Sequence, residues 1–304
     1  MCELSLNARY NTNRNFVVVN AKNKSFHTEV KAWHLQILSL VTDAMQLNKE
    51  SAILYQLKVN ELRVYRVKET YLGVNVSPLT YEGIVNEIEN RMTRHEQSTI
   101  IAVNPEKVIT ANRDAQVKTL INESTFQIPD GVGVLLASKL KGGKINSRVT
   151  GVDMMGKLLD FAALKGHPVY FYGAKEDVVT KAISEIQHER PSLLVAGYTN
   201  GYEKDEAALV QRINDSHAKI LFVALGSPKQ ELWIKRNLVN LPNVLVFQGV
   251  GGSFDVFSGM VKRAPAFFRK FGLEWLYRLG SNPSRIKRQL NLPVFLWRVL
   301  VSKK

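Results

Sequence analysis

The sequence predicts an α/β architecture: a mostly parallel sheet covered by helices on both faces, followed by a basic helical appendage. Three observations carry that expectation. From Thr70 onward, short apolar runs alternate strictly with segments of helical periodicity, the order produced when parallel strands are joined by helical crossovers. The apolar runs are continuous rather than alternating with polar residues, as in strands buried on both faces. Residues 261–304 stand apart, because they hold eleven Lys or Arg and a single acid, Glu274, and so ten of the chain's fourteen net positive charges.

At 304 residues, 45% hydrophobic and 22% charged, the chain is ordinary globular material with room for one large core plus appendages, or two modest domains. Its one cysteine, Cys2, excludes a disulfide framework and a cysteine-rich metal site, and fits a reducing cytoplasm. No apolar stretch is long enough to cross a bilayer, and the start lacks the basic and apolar regions of a secretory signal. A pI near 9.7 points to nucleic acid, an anionic membrane surface or phosphorylated small molecules. No zinc-finger or RNP-type signature supports nucleic acid. The C-terminal charge is instead mixed with Phe267, Phe268, Leu273, Trp275, Leu276, Tyr277, Phe295, Leu296 and Trp297, a composition suited to a membrane interface. The alternative is a terminal helix with its apolar side on the core and a solvated basic face.

Taken in order, residues 1–70 form an N-terminal extension of unassigned role, with helical spacing over 31–47 and an ambiguous segment over 52–67. Residues 71–260 form the Rossmann-like core. Tyr71–Val76 reads as a strand, and Ser77-Pro78 as the cap and first turn of a helix reaching His95. The expected core strands are Thr99–Val103, Phe126–Ile128, Val169–Tyr172, Leu193–Ala196, Ile220–Leu225 and Val244–Phe247. Helices are expected over 105–122, 131–141, 151–165, 175–189, 205–217 and 228–239. Residues 261–304 form the basic amphipathic appendage.

Chemistry gathers where strands end. Asn104-Pro-Glu follows the first core strand, and Asn104 reads either as a ligand contact or as a helix cap. Pro129-Asp-Gly-Val-Gly follows the next. Gly131 and Gly133 make half of a dinucleotide fingerprint, but Leu136 holds the third glycine position, so an NAD-type oxidoreductase is a weak alternative. Asp130, at a strand terminus before a glycine turn, can face the crevice and take a proton from an acceptor hydroxyl. Arg148-Val-Thr-Gly-Val-Asp153 offers either ligand contacts or a cap with an ion pair. In Gly226-Ser-Pro-Lys-Gln-Glu, Lys229 and Gln230 occupy the first turn of a helix, where an anion would be held; a cation there opposes the dipole and is better explained by a phosphate. Gly249-Val-Gly251-Gly-Ser-Phe-Asp255 lets backbone approach a ligand closely. No His-x-x-x-His pair, Gly-x-Ser-x-Gly elbow, P-loop or Asp-x-Asp is present, so no metal ligand is assigned and a bound diphosphate would rely on arginine.

These stretches, with Lys262-Arg-Ala-Pro and Gly272-Leu-Glu-Trp-Leu-Tyr-Arg-Leu, together resemble the WecG/TagA/CpsF glycosyltransferases in order and spacing from about Tyr71 to Leu292. The resemblance implies a metal-independent, inverting transfer of an N-acetylmannosamine-type sugar from UDP to an undecaprenyl-diphosphate-linked N-acetylglucosamine, in cell-surface polysaccharide synthesis. No cofactor is implied. The expected partners are a UDP-sugar donor, a polyprenyl-diphosphate acceptor and an anionic membrane surface, not nucleic acid, and a homo-oligomer is compatible with this reading. The implied location is cytoplasmic, peripheral on the inner face of the plasma membrane. Asp130 matches the family's proposed base. Arg278, Arg285 and Arg288 match the appendage arginines thought to close over the site and steady the UDP leaving group. Asn104, Gln230 and Asp255 match positions lining the nucleotide-sugar pocket.

Part of that family has Thr two residues before Asn104, where this chain has Ala102. Gly251-Gly-Ser-Phe-Asp-Val-Phe and Pro283-Ser-Arg-Ile-Lys-Arg-Gln-Leu look closest to the WecG branch, whose donor is UDP-N-acetylmannosaminuronic acid. Another UDP-hexose donor is the alternative within the same chemistry, and a basic nucleic-acid-binding module the alternative outside enzymes.

Overall fold

The computed structural model describes residues 8–11, 16–19, 68–265, 267–268, 274–281 and 290–302. The chain divides into two compact units, Met1–Asn60 and Glu61–Lys304. In the first, β1 (Ala8–Asn11) and β2 (Phe16–Val19) pair antiparallel, a hairpin that the sequence did not announce. The helix expected over 31–47 and the segment 52–67 lie outside the described residues.

The second unit opens with β3 (Glu69–Tyr71) and β4 (Val74–Val76). The single strand expected over 71–76 is thus an antiparallel hairpin, because Leu72 and Gly73 both take positive φ and turn the chain. Helix α1 (Tyr81–Thr93) is capped by Thr80, whose hydroxyl accepts from the Gly83 amide. Ser77 is not the cap expected of it: it is buried, and its amide donates to the Gln127 carbonyl.

The core follows in alternation. After β5 (Ser98–Val103) come α2 (Pro105–Ala111) and α3 (Ala115–Glu123). One continuous helix was expected there, but Asp114 caps α3 by accepting from the Gln116 and Val117 amides and so starts a new one. Next are β6 (Phe126–Pro129), α4 (Val132–Lys141), α5 (Gly151–Lys165), β7 (Val169–Gly173), α6 (Glu176–Glu189) and β8 (Val195–Thr199). Then follow α7 (Glu206–Asp215), β9 (Ile220–Ala224), α8 (Lys229–Asn237), β10 (Val246–Gly249) and α9 (Ser253–Phe257). Strands β8 and β10 begin about two residues later than their apolar runs suggest. Gly142 and Gly166, both left-handed, end α4 and α5, the usual way to stop a helix at a glycine. The appendage contains α10 (Glu274–Ser281) and α11 (Asn291–Val301).

Six strands form one parallel sheet in the order β6-β5-β10-β9-β7-β8. Strand residues alternate between its two faces. Phe171, Phe222 and Val246 pack with Ile84, Leu158, Val179 and Phe254 from α1, α5, α6 and α9. On the other face, Tyr170, Leu221 and Phe247 pack with Ile213 and Trp233 from α7 and α8, while Ile101 and Val103 pack with Val108, Ile121, Val134 and Phe295 from α2, α3, α4 and α11. Every residue of β9 is buried, which explains its uninterrupted apolar sequence. The predicted α/β, Rossmann-like architecture with a helical C-terminal piece is therefore what forms.

Candidate active site

The carboxyl ends of β5, β6, β9 and β10 bring most of the sequence motifs to one edge of the sheet. Asp130 follows β6 directly. Its amide donates to the Val103 carbonyl at 2.9 Å, and its Oδ2 accepts from the Gly151 amide at 3.3 Å. Gly151 is the first residue of α5, so the partly exposed carboxylate sits at the N-terminal end of a four-turn helix. Gly131, at φ 98°, turns the chain away behind it into α4. A Cβ at Gly133 would lie 2.4 Å from Pro105 Cγ and 2.5 Å from Leu292 Cδ1. That glycine serves close packing of α4 against α2 and α11, which removes the basis for a dinucleotide fingerprint.

Around the same helix start, the Arg148-to-Asp153 motif resolves into a cap with ion pairs. The Thr150 hydroxyl accepts from the Asp153 amide at 3.1 Å and donates to Asp153 Oδ2 at 2.7 Å. Arg263 reaches Asp153 Oδ1 at 2.5 Å, and Arg148 pairs with Glu274. Burial alone would raise the Asp153 pKa, but the Arg263 guanidinium and the Thr150 hydroxyl outweigh it and hold the carboxyl below its ordinary value of 3.8. Tyr81, which no motif singled out, joins this group: its hydroxyl accepts from the Thr150 amide at 2.8 Å and donates to Asp153 Oδ2 at 3.4 Å. Burial pushes that phenol up, and the charges of Asp153 and Asp130 add to the effect against the lowering by Thr150. Tyr81 therefore stays a neutral hydroxyl beside two carboxylates.

Across the sheet edge, Asn104 caps α2 by accepting from the Lys107 amide at 2.8 Å, a contact that engages its side-chain oxygen. Lys107 Nζ then pairs with Glu231 Oε1 at 2.7 Å, with side chains only 11% and 4% exposed. Gln230, 4% exposed, donates to the same Glu231 oxygen and accepts from the Gly251 amide at 3.0 Å. A buried relay thus ties together the ends of β5, β9 and β10. Glu231 ends the Gly226-Ser-Pro-Lys-Gln-Glu motif and Lys107 directly follows Asn104-Pro-Glu, yet nothing in their spacing marks them as partners. Lys229 is exposed in the first turn of α8. Gly226 and Gly251, at φ 77° and 52°, would each present an added Cβ to open space. Asp255 lies in the first turn of α9, and its Oδ2 would be 3.5 Å from a Cβ on Gly252.

One part of this edge had no motif at all. From β7 the chain continues outward to β8, whereas from β9 it continues back toward β10. Connections that diverge in this way open a crevice at the carboxyl ends of the two strands, where open α/β sheets bind ligands. Gly173 lines that division: its φ is 116°, and a Cβ there would fall 2.4 Å from the Ala224 carbonyl oxygen. Ala174, at φ 58°, donates its amide to the same oxygen at 3.0 Å. The available sequence signal was a glycine directly after the Val169–Tyr172 apolar run.

The appendage joins this edge through both ion pairs and through α11, which buries Phe295 and Val299 against α2 and α4. Arg278 lies within α10, while Arg285 and Arg288 lie outside the described residues. Among the described residues, no group of three His, Cys, Asp or Glu side chains could hold a metal ion, and no helix is long and apolar enough to cross a membrane.

Comparison with known proteins matches residues 69–304 to the model of the Glycosyl transferase WecG/TagA/CpsF family. A protein of Bacillus spizizenii (strain ATCC 23059 / NRRL B-14472 / W23), named N-acetylglucosaminyldiphosphoundecaprenol N-acetyl-beta-D-mannosaminyltransferase, is 40% identical over 209 residues, which cover 69% of this chain and 81% of that protein. One of the same name from Bacillus subtilis (strain 168) is 41% identical over 207 residues, covering 68% and 80%. With the family match spanning the whole sheet, its rim and the appendage, this chain belongs to the WecG/TagA/CpsF family of glycosyltransferases.

Proposed function

We propose that this enzyme transfers an N-acetylmannosamine-type sugar from UDP to an undecaprenyl-diphosphate-linked N-acetylglucosamine. The names of the two relatives support the acceptor and the sugar class. The observation that carries the mechanism is the Asp130 carboxylate, part-exposed at the rim and held by the first amide of α5. In a single inverting displacement, Asp130 takes the proton of the acceptor hydroxyl. The oxygen bonds to the anomeric carbon, and the bond from that carbon to the diphosphate breaks. UDP leaves with the electron pair, and its charge is met by the arginines proposed for that task, Arg278, Arg285 and Arg288. Asn104, Gln230, Gly226, Gly251, Lys229 and Asp255 form the proposed donor-binding rim, with Gln230 orienting the Gly251 loop from beneath. The divergence between β7 and β9 supports the nucleoside lying at that crevice.

Membrane association is part of the same reading. Phe267, Leu276, Trp297, Leu300 and Val301 are exposed within the segment that carries most of the net charge, and an apolar and basic surface suits the inner, anionic leaflet. Replacing both Trp297 and Leu300 with Glu should reduce sedimentation with anionic vesicles while leaving the fold intact.

The deciding experiment incubates the enzyme with a panel of UDP-sugars and a prenyl-diphosphate-linked N-acetylglucosamine, and measures UDP release. Asp130→Asn should lower kcat by about 10²- to 10⁴-fold while UDP-sugar binding survives, since Asn still offers an oxygen to the Gly151 amide. Full turnover in that variant would remove Asp130 from the mechanism.

A further inference from the structure

Glu274 is the only acid among the last 44 residues, and it is 6% exposed. A lone buried carboxylate in a segment suited to anionic surfaces needs a reason, and Arg148 supplies it. The second ion pair, Arg263 with Asp153, has the opposite polarity: the core offers a cation at 148 and an anion at 153, and the appendage answers with an anion and a cation. A shifted docking would bring like charges together, so the pattern specifies one seating. Arg148 and Asp153 flank Gly151, whose amide is held by Asp130. The two pairs therefore bracket the carboxylate assigned as the base. Glu274 is also the first residue of α10, and Arg278 lies four residues later in the same helix.

We propose that Glu274 is a positioning residue: through Arg148, and together with the Arg263–Asp153 pair, it clasps the appendage beside Asp130 and sets the station of Arg278 during transfer. This inference rests on the proposed roles of Asp130 and Arg278. On this account Arg148 docks the appendage and does not bind the diphosphate. Arg148 Nε is buried and has no hydrogen-bond partner, so loss of Glu274 leaves a guanidinium still poorer in acceptors, and breaking the pair from one side is more disruptive than exchanging both partners.

The test compares Glu274→Gln, Arg148→Glu, Glu274→Arg and the exchanged double variant Arg148→Glu/Glu274→Arg. It reads amide hydrogen exchange across 274–281 together with kcat and donor KM. Glu274→Gln, the mildest change, should lower kcat roughly 10²-fold, the scale of a misplaced catalytic group, with donor KM nearly unchanged and faster exchange in α10. The charge-reversed single variants should do the same or worse. The exchanged pair should restore slow exchange and most of kcat.

Unchanged exchange and kcat in Glu274→Gln would overturn the proposal. So would an exchanged pair that restores neither property, or one that restores slow exchange but not turnover, because Arg148 would then be needed by the ligand itself. Should the charge reversals fail to fold, Glu274→Gln alone still decides through its split between kcat and KM. If the parent enzyme turned over no UDP-sugar, the catalytic reading would fall, while the exchange data would still establish whether the clasp exists.

Discussion

The sheet core and the C-terminal appendage are held by different physics. In the core, whole strands disappear from solvent: β9 is buried at every position, and Phe171 packs against both Phe222 and Phe254. After Gly259, the buried side chains among the described residues are Ala264, Glu274, Phe295 and Val299. The appendage leaves Phe267, Leu290, Trp297 and Val301 facing outward and relies on two ion pairs, plus a Lys141 contact to the Ser302 carbonyl at 2.7 Å, for much of its attachment. Apolar burial is non-directional and indifferent to pH, whereas ion pairs are directional and titratable. A change of charge should therefore reach the attachment of the appendage more readily than the packing of the core.

The same substitution on each side should break this comparison open most widely. Phe171→Ala should lower the global unfolding free energy by about 3–5 kcal/mol, read from denaturant melts. Phe295→Ala empties a position between α11 and the α2/α4 face, and should show mainly as faster hydrogen exchange in 291–301, with a smaller global change. Equal global losses would mean that appendage and core unfold as one unit.

A smaller effect is expected at the point where the two regions meet. Thr150→Ala removes the cap of α5 and the hydroxyl bound to Asp153. It should cost about 1 kcal/mol in melts and loosen the Arg263 pair.

The smallest effect is a pH dependence. Because the folded-state pKa of Asp153 is depressed, its pair with Arg263 contributes fully above the unfolded value, about 3.9, and is lost as pH falls through the folded value. Protection of residues near Arg263 should therefore stay level from pH 8 to about 5 and decline only under stronger acid. A decline already at pH 6 would point to a different titrating group.

How much could be read in advance follows the same division. Continuous apolar runs and helix periodicity located the six core strands and most of the helices between them to within a few residues, because burial on two faces leaves a strong one-dimensional pattern, whereas the five-residue α9 is too short to show one. Local turn chemistry was harder. Leu72-Gly73 folded one expected strand into a hairpin, and Asp114 divided one expected helix, since a single residue's backbone angle or side-chain oxygen outweighed the surrounding propensities. At the candidate site, the position of Asp130 on the sheet rim was legible from its place between an apolar run and a glycine. Tyr81, the Lys107–Glu231 pair and the Arg148–Glu274 pair were not, because each joins residues 69 to 126 positions apart, and separation in sequence carries no periodic signal. Gly133 shows the converse: a glycine that looked chemical serves packing.

The order of the strands has one more consequence. Asp130 follows β6 at one end of the sheet, and the crevice between β9 and β7 lies three to four strands away, roughly 14–19 Å at the normal interstrand spacing. Backbone hydrogen bonding fixes that interval, so with the nucleoside and the base placed as proposed the platform would act as a measuring rod for the donor. On the proposed assignment, a sugar nucleotide with one phosphoryl group fewer would anchor its base and leave its anomeric carbon short of the carboxylate, a selection by length that no side chain needs to enforce.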